Sequence, residues 1–437
     1  MRSLRSMFSL LLATSLLLVA HGLHLTLLPL RAGTIGFSEG TIGLSASFYY
    51  LGFVAGCFWV PRIIARVGHI RIFAALLALF TCAMLAIDLT QSPIAWFLLR
   101  FTVGATVCGA YTVIESWLTD QTPPDSRGQV LAVYTFLVLS SITVGQFLIN
   151  LAPIGSSTLF IATGMLICLA IIPVALTKSL APAPVPSTKL SFSLLYRRSR
   201  TAFAGALISG IVMGSFWSLG ALYALRAVPE EGFVPLFISA IVIGGAAAQY
   251  PIGWLSDRID RRWMLSALCV ITAAASVLMT FSNASQWLLA VGFCFGASSN
   301  ALYAISLAKA ADNSKQSEFV IIASSVLLLN SIAAAIAPLL LGRVMVFLGD
   351  ESLFLGLALA SGVAAVYIGL QSVSGKSVVV DEQTPFVASG YETVPASFDN
   401  DPRSPDGSEA DLEPMPERPA YAEFEAEFDF DELLEEE

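Results

Sequence analysis

Charge is scarce in this sequence: only 13% of its 437 residues are Asp, Glu, Lys or Arg, about half the roughly 25% of an average soluble domain. With 56% hydrophobic residues there is too little charge to cover a water-soluble fold, and exposed apolar surface on that scale aggregates. An ordinary soluble enzyme is therefore excluded. Histidine is nearly missing, with three residues. The six cysteines, Cys57, Cys82, Cys108, Cys168, Cys269 and Cys294, lie in apolar runs without a CxxC pair, so neither a disulfide framework nor a zinc site is expected. There is no Walker loop, Gly-x-Ser-x-Gly elbow or His-Glu-x-x-His helix. Machinery for hydrolysis is thus absent from the motifs, and neither enzymatic activity nor a cofactor is expected.

What is abundant is lipid-soluble. The mean hydropathy is +0.76, with 28 Phe and 32 Gly. Against this stands a net charge of -9, odd for a protein facing anionic lipid. The charge divides along the chain. Residues 373–437 hold 19 acids against three bases (Lys376, Arg403, Arg418), whereas residues 1–372 hold 13 acids against 20 bases. The chain is a basic body at +7 with an acidic tail at -16.

Crossing about 30 Å of hydrocarbon takes about 20 helical residues. Twelve apolar runs qualify: 7–30, 40–64, 72–91, 93–117, 128–151, 157–177, 201–225, 232–256, 263–282, 285–309, 318–346 and 351–372. The first follows Arg2 and Arg5 but is too long for a signal-peptide core, so it is expected to be a retained span. With the N-terminus inside, sixteen bases of the body fall on the cytoplasmic side, and only Arg31, Arg226 and Arg343 fall outside. Arg100 lies within a span. This asymmetry predicts twelve spans with both termini cytoplasmic.

The connection around Ala181-Pro182-Ala183-Pro184-Val185-Pro186 predicts a stiff cytoplasmic linker. The expected organisation is an N-terminal six-helix half (1–178), a linker (179–200), a C-terminal six-helix half (201–372) and a disordered acidic tail (373–437), whose composition cannot build a core. An offset of 192 residues pairs Gly22 with Gly214, Gly52 with Gly244, Arg66 with Arg258, Gly104 with Gly296 and Tyr111 with Tyr303, at matching depths and without a gap.

Between spans eight and nine stands Gly253-Trp254-Leu255-Ser256-Asp257-Arg258-Ile259-Asp260-Arg261-Arg262. This resembles the major facilitator superfamily's loop motif Gly-x-Leu-Ala-Asp-Arg-x-Gly-Arg-Arg, with Asp260 in place of the second Gly. Its first-half counterpart is degraded: Pro61 and Ala65 replace the first Gly and the Asp, while Gly68, Arg66 and Arg71 remain. Arg100-x-x-x-Gly104, Glu115-Ser116 and Asp120-x-x-Pro123-x-x-x-Arg127-Gly128 resemble the family's fourth-helix motif and following loop. Ser140-Ser141-Ile142-Thr143-Val144-Gly145-Gln146 departs from the drug-proton antiporter motif of helix five. The resemblance implies an all-α membrane fold of two pseudo-symmetric halves, a secondary transporter in the plasma membrane of a bacterium, and a gating loop of Arg66, Arg71, Asp257, Arg258, Arg261 and Arg262. It also implies that helices one, four, seven and ten line the pathway.

Within a span an ionisable group costs about 2.5–3.5 kcal/mol, so each needs a cavity or a partner. Arg100, Gly104, Cys108, Tyr111 and Glu115 share a helical stripe expected to face the route. Arg100 can alternatively tie helix four to a neighbour, and Glu115 can pair with Arg66, Arg71 or Arg127. His21 and His24, one turn apart, suit proton coupling, lining or, with no further ligand evident, metal binding only weakly. Trp217 and Tyr223 on helix seven, and Asn300 and Tyr303 on helix ten, can hold a solute by stacking and hydrogen bonds. Gln146, Gln249 and Asn330 are route candidates or helix ties. Gly244-Gly245 and Gly292-x-x-x-Gly296 read as close-packing surfaces, and Asn283-Ala284-Ser285 as a conditional glycosylation sequon.

The expected function is transport of a small organic solute, with protons as a candidate coupling ion. The expected protein is a monomer in the lipid bilayer without nucleic acid or metal. The alternative is a non-transporting sensor or assembly factor signalling through its tail. The alternating acidic and apolar run Tyr421–Asp431 offers such a cytoplasmic contact.

Overall fold

Long apolar runs fold into helices in lipid because every backbone N–H and C=O must be satisfied within its own segment. The computed structural model describes residues 7–122, 127–176, 190–281, 284–315, 318–374, 383–384 and 386. Twelve of its helices are long and apolar enough to cross a membrane. They are α1 (Phe8–Thr34), α2 (Glu39–Val67), α3 (His69–Asp88), α4 (Pro93–Gln121), α5 (Arg127–Phe147), α6 (Thr158–Ala175), α7 (Arg200–Ala227), α8 (Phe233–Ser256), α9 (Arg261–Met279), α10 (Ser285–Asp312), α11 (Phe319–Leu348) and α12 (Ser352–Ser374). A 3-10 turn, Leu148–Leu151, extends α5, and a short helix, Phe192–Arg198, precedes α7. Among the described residues there is no strand. Residues 179–189 of the 179–200 linker, Asn283 of the sequon, the side chain of Arg127 and the Tyr421–Asp431 run lie outside the described residues.

The observed spans follow the expected runs to within a few residues, with one consequential difference. Gly68, at φ 82°, ends α2 and starts α3 in a single residue, a conformation that favours glycine. His69 therefore belongs to α3, where it is buried and meets the Ser116 hydroxyl at 3.0 Å. The expected run 72–91 is corrected at its start, which brings a third histidine into a span. In the second half Asp260 stands where Gly68 does, and the turn is longer. Asp260 caps α9 by accepting from the Arg262 N–H at 2.9 Å.

The internal repeat appears as contacts. Gly52 on α2 lies against the Phe101 carbonyl of α4, and Gly244 on α8 lies against the Phe293 carbonyl of α10. Gly104 faces the Tyr49 carbonyl as Gly296 faces that of Ile241, and Gly22 meets Ile142 as Gly214 meets Ala334. Each contact in one half recurs 192 residues later, partner included. At each position a Cβ would run into the facing backbone, so glycine lets the two helices approach closely.

Across the interface between halves, α2 packs along α11, α1 against α7 and α5 against α8. Gly43 meets the Pro338 carbonyl, and Gly342 meets that of Glu39. Arg226, at the end of α7, bridges Glu39 of α2 and Asp350 before α12, each at 2.6 Å. These contacts join the halves at the end poor in basic residues. Outward positions such as Phe136, Leu359 and Leu370 are exposed and apolar, as a lipid-facing surface requires. Inside, hydroxyls of Thr14, Ser47, Thr112, Ser218, Ser306 and Ser331 donate to carbonyls four residues back in their own helices.

Candidate functional site

Five predicted or newly seen side chains of the first half form a continuous row. The Arg100 guanidinium of α4 lies over the Tyr49 ring of α2, 4.7 Å from its centroid. Tyr49 stands 6.1 Å from the His24 ring, His24 4.8 Å from His21, and His21 6.1 Å edge-on from Tyr111, again on α4. All five are buried, Arg100 at 6% exposure. The His24 Nδ1–H donates to the His21 carbonyl at 2.8 Å, which fixes its tautomer and leaves Nε2 as an acceptor without a hydrogen-bond partner among the described residues. Arg100 Nη1 also lacks one, and no described carboxylate forms an ion pair with this guanidinium.

The stripe on α4 is divided rather than uniform. Gly104 and Cys108 face α2, with the Cys108 sulfur 3.3 Å from that of Cys57, which corrects the expectation that the whole stripe faces the route. The cause is the glycine-mediated crossing of α2 and α4, which leaves no room between them. Glu115 is buried and accepts from the Tyr134 hydroxyl of α5 at 3.3 Å. Gln146 is fully buried, accepts from Thr26 and donates to the Gly22 carbonyl at 2.9 Å. It ties α5 to α1.

In the second half Trp217 is buried beside Phe216, and its Nε1–H has no acceptor among the described residues. Asn300 donates to the Gly296 carbonyl at 3.0 Å and packs on Gly245 of α8. Tyr303 is fully buried in a cluster with Leu307, Ala202 and Leu327, and Tyr223 donates to the Met279 carbonyl at 2.9 Å. The structure thus gathers Arg100, His21, His24 and Tyr111 closely, and gives Gln146, Asn300 and Tyr223 helix-linking contacts.

The two gating loops differ. Arg66 and Arg71 are exposed in the first half. In the second, Arg261 is fully buried and reaches Asp257 at 2.7 Å and Asp312, at the end of α10, at 2.5 Å. Arg262 holds Asp260 at 2.8 Å, and Arg258 lies 3.9 Å over the Trp254 ring. The intact motif therefore binds three helix ends together, whereas Ala65 has no carboxylate with which to do so. Nearby, Arg198 donates to Glu318 at 2.8 Å, which holds that half-buried carboxyl below its usual range.

Tyr49, Asp312 and the Glu39–Arg226–Asp350 bridge were not singled out from sequence. Asp312 is an acid at the end of an apolar span, one turn after Lys309, and that position was the available signal. Tyr49 follows from its place one helical turn before Gly52 on the packed face of α2. Among the described residues, no three His, Cys, Asp or Glu side chains gather as metal ligands.

Comparison with known proteins agrees with this architecture. The chain matches the Major Facilitator Superfamily model over residues 10–229 and 202–395. It is 25% identical over 341 residues to the uncharacterised MFS-type transporter YcaD of Salmonella arizonae, covering 77% of this chain and 88% of that one. Against YcaD of Escherichia coli K12 the identity is 26% over 339 residues, with 77% and 88% covered. The fold is shared with the nucleoside transporter NupG (D323A mutant), with a TM-score of 0.72 at 12% identity over 84% of this chain and 99% of that one. It is also shared with a bacterial homolog of the human lysosomal transporter Spinster, inward-facing and occupied, with a TM-score of 0.66 at 15% identity over 86% and 97%. The protein is a multi-pass membrane protein, and its chain belongs to the major facilitator superfamily.

Proposed function

We propose that this protein is a secondary transporter of a small organic anion, working by alternating access between its two six-helix halves, with both termini in the cytoplasm. The observation that carries the reading is Arg100. A guanidinium cation buried within a span, stacked on Tyr49 and without a described counterion, is electrostatically incomplete. An unpaired charge at that depth is costly, and a carboxylate or phosphate on a solute would complete it through a planar, two-pronged contact. The relatives named as MFS-type transporters support transport as such, and the anionic class rests on Arg100 alone.

Proton coupling extends the same reading. His24 has one ring nitrogen fixed by a carbonyl and the other free to accept, and the row connects it to Arg100 through Tyr49. With a dianion such as a phosphate monoester, Arg100 balances one negative charge and a proton taken up at His24 balances the other, so the loaded site is neutral.

Uptake into proteoliposomes tests both parts, with a panel of labelled small carboxylates and phosphate monoesters beside neutral and cationic solutes. The reading expects uptake of at least one anion, loss of that uptake in Arg100→Gln, and acceleration by an inwardly directed proton gradient. Uptake confined to neutral or cationic solutes overturns the anion assignment. A proton gradient that neither drives transport nor is dissipated by it overturns the coupling.

A further inference from the structure

The described residues of the acidic tail, Gln383, Thr384 and Phe386, lie on the intact gating loop of the second half. The Thr384 N–H and hydroxyl both donate to Asp312 Oδ1, at 3.0 and 2.9 Å. The Thr384 carbonyl accepts from Arg261 Nη2 at 2.5 Å, and the Phe386 N–H donates to Asp257 Oδ1 at 3.0 Å. Gln383 reaches the Ile259 carbonyl at 3.5 Å. The Phe386 ring fills the space where Gly253 lacks a Cβ, and its three nearest atoms to that position are all ring carbons. Five features of the peptide are therefore read at once: two amides, one carbonyl, one hydroxyl and one aromatic ring.

We infer that Gly253, Asp257, Arg261 and Asp312 form a peptide-docking site whose resident ligand is the chain's own segment 383–386. It recognises an uncharged stretch with a hydroxyl two residues before an aromatic ring. The electrostatics select this segment from an otherwise acidic tail. Asp257, Asp260 and Asp312 are matched by Arg261, Arg262 and the buried Lys309. The three carboxylates and three cations that meet there balance, the remaining loop cation, Arg258, lies over the Trp254 ring, and the acceptors facing the Thr384 and Phe386 amides are carboxylates. A negative group at position 384 would face Asp312 directly and repel. Docking also occupies the third direction of Arg261, so the tail braces the union of the ends of α8, α9 and α10. This inference concerns the docking contact alone and holds whether or not the protein carries anions.

The test is hydrogen–deuterium exchange on the full-length protein in lipid nanodiscs. Pro385 has no N–H, so the amides of Thr384 and Phe386 dominate a peptide across the segment, and both are hydrogen-bonded to carboxylates. They are expected to exchange about tenfold or more slowly than the intrinsic rate for their sequence. Phe386→Ala and Thr384→Glu lie outside the membrane body and leave its fold intact, and each is expected to return both amides to the intrinsic rate. Gly253→Val, which fills the ring's place, is expected to do the same from the receptor side. Intrinsic-rate exchange in the unmodified chain, or slow exchange that survives both tail variants, would overturn the assignment.

Discussion

The Arg100 guanidinium lies 4.7 Å over the ring of Tyr49, a cation held against an aromatic face inside the first half. A cation–π contact of this kind is worth about 0.5–2 kcal/mol. Tyr49→Leu is therefore expected to raise the KM for the transported anion by about 2- to 30-fold with little change in protein yield. Tyr49→Phe, which keeps the ring, is expected to stay near the parent value. Arg100→Lys is expected to transport poorly, since a point charge cannot replace the planar fork. Flux measurements on the three variants check this.

The glycine crossings predict a paired stability effect. Gly52→Ala and Gly244→Ala each drive a methyl into a facing carbonyl, at a cost of about 1–3 kcal/mol. Gly362 on α12 has open space around it, so Gly362→Ala is expected to be neutral or stabilising by up to about 1 kcal/mol. Thermal unfolding of the three purified variants gives the order.

At the bridge between halves, Arg226 is shared by Glu39 and Asp350 and is 37% exposed. Arg226→Ala is expected to loosen that end by up to about 1 kcal/mol, a several-fold change in the population of open forms. Spin-label distances across α2 and α12 should broaden toward longer values. The double reversal Glu39→Arg with Arg226→Glu should bring back part of the parent distribution.

The pH response of the Arg198–Glu318 pair has a definite sign. The hydrogen bond from Arg198 holds the Glu318 carboxyl below its usual 4.5, so its ionised form is favoured in the fold. The pair's contribution is present above that value and is lost only as pH falls through the lowered one. Glu318→Gln is expected to shift thermal stability equally at pH 6 and pH 8, with the difference disappearing in acid. Melting curves across that range check it.

Ending the chain after Ser374, where α12 stops, is expected to preserve flux, because Gln383, Thr384 and Phe386, the described residues beyond it, lie on the second-half loop and not at the row around Arg100. Loss of a partner-dependent phenotype on that truncation, with no flux detected in either form of the protein, would favour the sensor reading.

Much of this was legible in the sequence because lipid imposes simple rules. Span lengths follow from bilayer thickness, and the 192-residue offset is visible because glycine is required wherever two backbones touch, as at Gly52 and Gly244. The facing of α4 was not legible. That helix is apolar almost all round, so periodicity could not show that Gly104 and Cys108 turn toward α2 while Arg100 stacks on Tyr49. For Gln146 the sequence left a route position and a helix tie both open, and its contacts to Thr26 and the Gly22 carbonyl are those of the tie. Long-range partners such as Glu39 with Arg226, or Thr384 with Asp312, depend on how the helices assemble. In the tail, composition emphasised the acids and obscured the few neutral residues that dock.

The central claim, a buried arginine completed by an anionic solute, is tested most directly by ligand-dependent stabilisation. The purified protein and its Arg100→Gln variant would be melted in the presence of small carboxylates, phosphate monoesters, neutral sugars and organic amines. A solute at a hundredfold its Kd adds about 2.7 kcal/mol to the folded state. The account predicts that at least one anion raises the Tm of the parent protein and leaves Arg100→Gln unchanged. Stabilisation by neutral or cationic solutes, equal in both proteins, would contradict it.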